Sequence, residues 1–183
     1  MKIIAEIGWN HMGDLDLAKR MIDSAVISGA NVVKFQYWNP EYLTKGAWDE
    51  DGRREIYNQA ALDIEKVKIL NNFVNDSGSE FLISVFGSYG AKDIASLGLK
   101  NIKIPSHETT NHKLIEFCSN NFDYIYFSAG ASNQDEIKEA VGILEEGSAR
   151  YQLMHCVSSY PLPDNKANLL RINWLKGFTD EVG

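Results

Sequence analysis

Short apolar runs alternate along the chain with segments whose apolar residues recur every three or four positions, which predicts a regular succession of strands and helices. A strand is expected over 3–8 (IIAEIG). A helix follows over 14–28, with Leu15, Ala18, Met21, Ile22 and Ala25 on one face and Gly29 as its stop. After a strand over 32–37 comes a polar, aromatic insertion over 39–58. The next helix, over 62–75, has Asp63 as N-cap or first-turn residue and Gly78 beyond its end. The pattern then repeats: strand 81–86 and helix 89–96, strand 101–105 and helix 111–119, strand 124–127 and helix 132–146, strand 152–157 and helix 168–176. In the helix over 132–146, Ser132 reads as the N-cap, with Asp135 and Glu136 favourably placed for the helix dipole. Residues 181–183 read as the opening of a seventh strand.

Six strand–helix units in succession imply parallel strands, because each parallel pair needs a crossover of about a dozen residues and the helix supplies it. Polar residues at the C-terminal ends of nearly all the strands favour a closed barrel over an open doubly wound sheet, since a barrel gathers those ends at one mouth. The expected fold is therefore α/β, a (β/α)8 TIM barrel truncated to about six βα units plus the start of a seventh strand. The domain expectation is a partial TIM-barrel catalytic domain over residues 1–183.

Composition narrows the partners. With 18 Lys and Arg against 25 Asp and Glu the net charge is −7, and no basic stripe is visible, so nucleic acid is not the expected partner. A local basic pocket stays compatible with that balance. Cys118 and Cys156 form neither a metal-type spacing nor a disulfide framework, which fits a reducing compartment, and a cytoplasmic location is expected. No apolar run approaches the roughly 20 residues of a membrane span, so no membrane association is expected.

The candidate chemistry begins with two lysines in otherwise apolar runs: Lys103 in NIKIPSHE and Lys34 in NVVKFQ. A lysine is rarely buried unless paired, so each implies an anionic partner. The strand ends gather Glu6, Asn10 and His11; Lys34 and Gln36; Ser84 and Ser88; Lys103, Ser106 and Glu108; Ser128; and His155, Ser158 and Tyr160. Lysines and hydroxyls at one mouth describe an oxyanion site, and Glu6 and Glu108 add acid–base capacity. No glycine-rich phosphate loop occurs, so side chains and scattered amides would have to hold an anion. Plainer roles compete. The lysines can snorkel, Glu6 can pair with one of them, and His11 can brace the first loop. His155 can sit in the interior, and Cys156 can be simple packing. Trp38, Trp48 and the insertion fit either a substrate lid or ordinary loop packing.

Five ordered blocks, IAEIGWNHMGDLDLAKRMIDSA, VKFQ, IKIPSHE, FSAGASNQDEI and HCVSSYPLP, resemble the N-acetylneuraminate (sialic acid) synthase family of nonulosonic acid synthases. The resemblance covers essentially the whole chain. It implies a barrel enzyme, commonly a homodimer, that condenses phosphoenolpyruvate with an N-acyl hexosamine such as N-acetylmannosamine and releases phosphate. By position, it implies that Lys34, Lys103, Ser106, Ser128 and Tyr160 hold phosphoenolpyruvate, with Ser158 where an asparagine often helps. Gln36 and Glu108 would face the sugar, and Glu6 would lie near the metal and the reacting aldehyde, so that Glu6, Lys103 and Glu108 are the expected catalytic groups. A divalent metal, manganese or magnesium, is implied, with ligands outside this chain. The family continues into a Ser-Asp-His segment, two further βα units and a C-terminal antifreeze-like domain. Two departures stand out: Val85 where a hydroxyl is usual, and Ser128-Ala129-Gly130 in place of Ser-Thr-Gly. Two other readings compete, a Schiff-base aldolase using Lys103 or Lys34 and an inactive fragment.

Overall fold

The computed structural model describes residues 1–183. The chain is α/β, with six parallel strands, and it falls into two compact units, residues 1–84 and 85–183.

In the first unit β1 (Ile4–Gly8), β2 (Val32–Tyr37) and β3 (Glu80–Val85) lie in chain order. β1 and β2 pair in parallel with Glu6 opposite Lys34, and the register shifts between Glu6 and Gly8. α1 (Leu15–Ile27) buries Ala18 and Ile22 and is capped by Asp14, whose carboxylate accepts from the amides of Asp16 and Leu17. α3 (Ile64–Asp76) starts, as the sequence predicts, at Asp63, which accepts from the Lys66 amide. Its buried face, Val67, Leu70 and Val74, recurs at the helical spacing that gave the prediction.

The insertion, read in the sequence as a polar, aromatic stretch with no helix of its own, contains α2 (Arg53–Ala60). That segment reads as polar, so a periodicity argument passes over it; side-chain anchors hold it instead. Arg54 donates to Asp49 at 2.6 Å and to the Thr44 carbonyl at 3.1 Å. Trp9, Trp38 and Tyr57 form a mutual edge-to-face cluster with ring centroids 6.0 to 6.3 Å apart, and the Trp38 indole donates to the Tyr57 carbonyl. Trp38 is therefore core packing, which settles that residue against a lid role. Trp48 turns inward to the Thr44 carbonyl and lies over Gly46.

In the second unit β4 (Asn101–Ile104), β5 (Tyr124–Ser128) and β6 (Arg150–Met154) pair in parallel and in order. The helices of this unit are α4 (Gly87–Ser96), α5 (His112–Asn121) and α6 (Gln134–Glu146). The N-cap of α6 is Asn133 rather than Ser132: its side chain accepts from the amides of Asp135 and Glu136, and Glu136 reaches back to its amide. β6 begins two residues before the expected start and ends at Met154, and the last helix, α7 (Arg171–Leu175), is only five residues long. The apolar positions over 168–176 overstate that helix, since Leu169 and Leu170 are exposed and precede it. Residues 181–183 run parallel to β6, with the Leu153 amide donating to the Glu181 carbonyl and the His155 amide to the Gly183 carbonyl. No helix of the chain is long and apolar enough to cross a membrane.

Candidate functional site

The strand-end residues form one polar cluster in each unit. In the first, β1–β2 register puts Glu6 beside Lys34, and the two side chains make an ion pair. Lys34 is 4% exposed and also donates to the Ser84 hydroxyl of β3 at 3.1 Å. This is the plain structural role that the sequence left open for Glu6. It fits equally with a lysine held ready for an anion, because the Glu6 side chain is 48% exposed and can be exchanged for another negative group. Gly8, at φ +61°, stands next to this pair. A Cβ there would lie 3.1 Å from a Glu6 carboxylate oxygen and 3.7 Å from the Gln36 amide nitrogen, so the bare backbone makes room for both side chains. Gln36 is half-buried.

His11 is fully buried against Phe35, 5.8 Å between ring centres. Its Nδ1 accepts from the Gly13 amide at 3.0 Å, which braces the first loop and leaves the proton on Nε2. That Nε2 has no partner. Burial, and secondarily the Lys66 charge, push His11 below the ordinary histidine range against the opposing pull of Asp14. A histidine whose folded value is depressed leaves stability intact above the ordinary value near 6.5 and costs stability as pH falls below it, where the unfolded chain binds the proton first. The melting temperature is thus expected to fall on going from pH 7.5 to 5.5, and the fall should be shallower in His11→Asn. Equal slopes would show that His11 contributes nothing to it.

In the second unit Lys103, half-buried rather than fully buried, donates to Ser128 Oγ at 2.6 Å. β4–β5 pairing sets Lys103 opposite Tyr126, two residues before Ser128 and on the same face, so the long side chain has only to lean along the strand. Ser128 is 1% exposed. Ser106 Oγ accepts from the Gly130 amide at 3.0 Å. The backbones converge tightly here: a Cβ on Gly130 would lie 2.7 Å from Ser106 Oγ, 2.8 Å from Cys156 Cβ and 3.0 Å from the Cys156 carbonyl. A lysine, two hydroxyls and a glycine amide within a few residues of two strand ends have the chemistry of an anion cradle.

Glu108, expected to face the sugar, makes two hydrogen bonds within the second unit. One carboxylate oxygen accepts from the Gly87 amide at 2.9 Å and the other from the Asn111 side-chain amide at 2.7 Å. Both oxygens are therefore engaged within the protein. Ser158 is exposed, and Tyr160 is 95% exposed next to a cis peptide bond to Pro161, so neither is gathered to the Lys103 cradle. His155 Nε2 donates to the Ala167 carbonyl at 2.7 Å, leaving Nδ1 buried and without a partner. Burial raises Cys118 to about 12, which makes it an inert packing thiol. No three of the His, Cys, Asp and Glu side chains come together in a way that could hold a metal ion. The residues present do not by themselves make a site for the divalent metal that the resemblance implies.

The sequence reading missed Gly8 and Asn111. Each had a signal: a glycine closing an apolar strand two residues after a carboxylate, and an asparagine at a helix start three residues after a glutamate.

The NeuB family model matches residues 21–183. N,N'-diacetyllegionaminic acid synthase of Campylobacter jejuni is 34% identical, covering 99% of this chain and 59% of its own length. The same-named enzyme of Legionella pneumophila is 32% identical, covering 91% of this chain and 51% of its own length. The crystal structure of N-acetylneuraminic acid (sialic acid) synthetase from Leptospira borgpetersenii, in complex with citrate, superposes with a TM-score of 0.89 at 32% identity, covering 99% of this chain and 63% of that one. The chain thus spans between half and two thirds of the length of these proteins, and with 163 of its 183 residues matched (21 to 183) it belongs to the NeuB family of nonulosonic acid synthases.

Proposed function

We propose that this chain is the phosphoenolpyruvate-binding portion of a nonulosonic acid synthase, which adds C3 of phosphoenolpyruvate to the aldehyde of an N-acyl hexosamine such as N-acetylmannosamine and releases phosphate. The observation that carries the reading is the lysine–serine contact of Lys103 with Ser128, beside the Ser106 hydroxyl and the Gly130 amide, in a chain of this family. Phosphoenolpyruvate carries a carboxylate and a phosphate, and an ammonium group directed by a hydroxyl, as each unit has, suits an anionic oxygen of this kind. Fixed cations of this kind stabilise the charge that develops on the departing phosphate. In this reading Lys34, Lys103, Ser106 and Ser128 hold phosphoenolpyruvate, with Ser158 and Tyr160 joining from the exposed segment after β6. Gln36 and Glu108 face the sugar and Glu6 lies beside the reacting aldehyde.

The complete enzyme in this proposal is a homodimeric (β/α)8 barrel of the cytoplasm. Its divalent metal is held by residues outside these 183, and the 183 residues are inactive without a counterpart of the segment that the longer relatives carry. A Schiff-base aldolase is disfavoured by the same contacts. Such an enzyme needs an amine free to attack a carbonyl, and the Lys34 amine is held in an ion pair with Glu6.

The test joins the chain to the remaining segment of the C. jejuni relative and incubates the product with phosphoenolpyruvate, Mn2+ and a panel of N-acyl hexosamines. Phosphate is expected only when a sugar is present, and the unjoined chain should release none. Absence of sugar-dependent phosphate across the panel rejects the proposal, and covalent trapping of a lysine by borohydride replaces it with the aldolase.

A further inference from the structure

We infer that Trp9, with Tyr57 beside it, determines sugar specificity: the two rings form an aromatic wall that takes the apolar C–H side of the N-acyl hexosamine, and the Trp9 indole N–H donates to one of the sugar's oxygens. The identity of the ligand rests on the proposed reading, whereas the wall is a feature of the first unit alone.

Two strand ends place the wall. Trp9 follows Gly8, the last residue of β1, and Trp38 follows Tyr37, the last residue of β2, so both rings stand at the ends of the strands that carry Glu6 and Gln36. Glu6 lies opposite Lys34, but beyond it the register shifts and Gly8 comes opposite Phe35. Counting on from that pair brings Trp9 level with Gln36. A shift of this kind puts an extra residue into one strand and re-aims the side chains that follow, which is why such shifts collect beside functional sites. Gly8 keeps the ground between the strand ends open, since the Glu6 carboxylate and the Gln36 amide both approach the place where its side chain would be.

The three rings of the cluster are not equivalent. Trp38 is buried and its indole N–H is committed to the Tyr57 carbonyl at 3.2 Å, so it is the foundation of the cluster. Trp9 and Tyr57 are half-buried and meet Trp38 and each other edge to face, which leaves part of each ring outward. The indoles of Trp38 and Trp48 both donate to backbone carbonyls, whereas the Trp9 N–H donates to no group of the protein and its nitrogen reaches solvent. Such an indole offers a flat apolar surface and one directed donor. An acylated sugar offers C–H surface together with hydroxyl and carbonyl acceptors. Aromatic walls with a few placed polar groups are the common build of a small-ligand site, and Glu6 and Gln36 are the polar groups nearest this wall. Tyr57 rides on α2, which Arg54 ties to Asp49 and to the Thr44 carbonyl, so the insertion supplies the second ring and holds it in place.

The indole itself supplies the reporter for the test. N-acetylmannosamine is added to the 183-residue chain and tryptophan fluorescence is followed. A saturable change is expected. It should be absent from Trp9→Phe and retained in Trp48→Phe, because Trp48 stands apart from the cluster and its N–H is held by the Thr44 carbonyl. In the joined protein Trp9→Ala is expected to raise the apparent KM for N-acetylmannosamine about tenfold or more, the loss of one aromatic contact with its hydrogen bond, while the KM for phosphoenolpyruvate stays within about twofold. Trp9→Phe keeps the edge-to-face packing and lacks the donor, so its KM for the sugar should lie between the two. A fluorescence change that persists in Trp9→Phe, or that the unsubstituted chain does not show, overturns the wall. So does a parallel rise of both KM values, which would make Trp9 a structural residue of the first unit. Sugar binding is read without phosphoenolpyruvate, so a chain that binds the sugar at Trp9 and a joined protein that releases no phosphate would reject the proposed reaction and leave the wall standing.

Discussion

Lys34→Met in the joined protein is expected to lower sugar-dependent phosphate release at least about a hundredfold, the usual loss when one fixed charge-stabilising group is taken from a site. The melting temperature should move by no more than about 4 °C. The second half of that statement is the discriminating one. Removing one member of a buried ion pair is commonly very destabilising, because the other charge is stranded. At this site the two partners are unequal: the Lys34 side chain is 5% exposed, whereas that of Glu6 is 48% exposed and stays hydrated when its partner goes. Methionine follows the lysine stem through the same apolar surroundings of β2, and Ser84 loses one donor but keeps a hydroxyl that can turn. Stability and activity should therefore separate. A large loss of melting temperature would make Lys34 a structural ion-pair residue. Full turnover in Lys34→Met would remove it from the phosphoenolpyruvate site.

The same two lysines show what could be read in advance and why. An ammonium in an apolar strand is conspicuous because its desolvation is costly: buried Lys34 has the anionic partner that this cost demands, in Glu6, whereas half-buried Lys103 meets the Ser128 hydroxyl. Strand and helix succession was equally legible, since each buried face repeats at its own period. The features that escaped notice are those held by pairwise contacts at long sequence separation. α2 is polar along its length and is held by Arg54 and an aromatic cluster, neither of which leaves a periodic trace. Ser132 and Asn133 are both acceptable N-caps by residue type, and only the reciprocal contact of Glu136, three residues after Asn133, decides between them. For Glu108 the residue type announces a carboxylate with work to do. Which two amides it serves depends on loops that fold together from 21 residues apart in one case and three in the other.

Gly130→Ala is expected to lower the melting temperature by roughly 3 to 10 °C, the range for one methyl group forced into a filled space in a chain of this size. Of the three atoms it would meet, only Ser106 Oγ, at 2.7 Å, can swing aside; Cys156 Cβ at 2.8 Å and the Cys156 carbonyl at 3.0 Å belong to or adjoin the backbone after β6. If Ser106 swings, its contact with the Gly130 amide is lost, so the substitution removes a hydroxyl from the cradle as well as straining the loop. The proposed reaction should then show a raised apparent KM for phosphoenolpyruvate. Gly147→Ala is the control. A Cβ there would lie 2.3 Å from Ser119 Cβ, a harsher clash near the C-terminal end of α6, so it should destabilise at least as much while leaving the phosphoenolpyruvate KM of the surviving folded protein unchanged. Adding Ser106→Ala to Gly130→Ala removes one of the three opposing atoms. It should recover part of the lost melting temperature and none of the lost affinity, because stability and binding draw on different consequences of the same hydroxyl. A Gly130→Ala protein with unaltered stability and KM would mean that the close approach of the two loops is relaxed at no cost, and that the cradle does not depend on it.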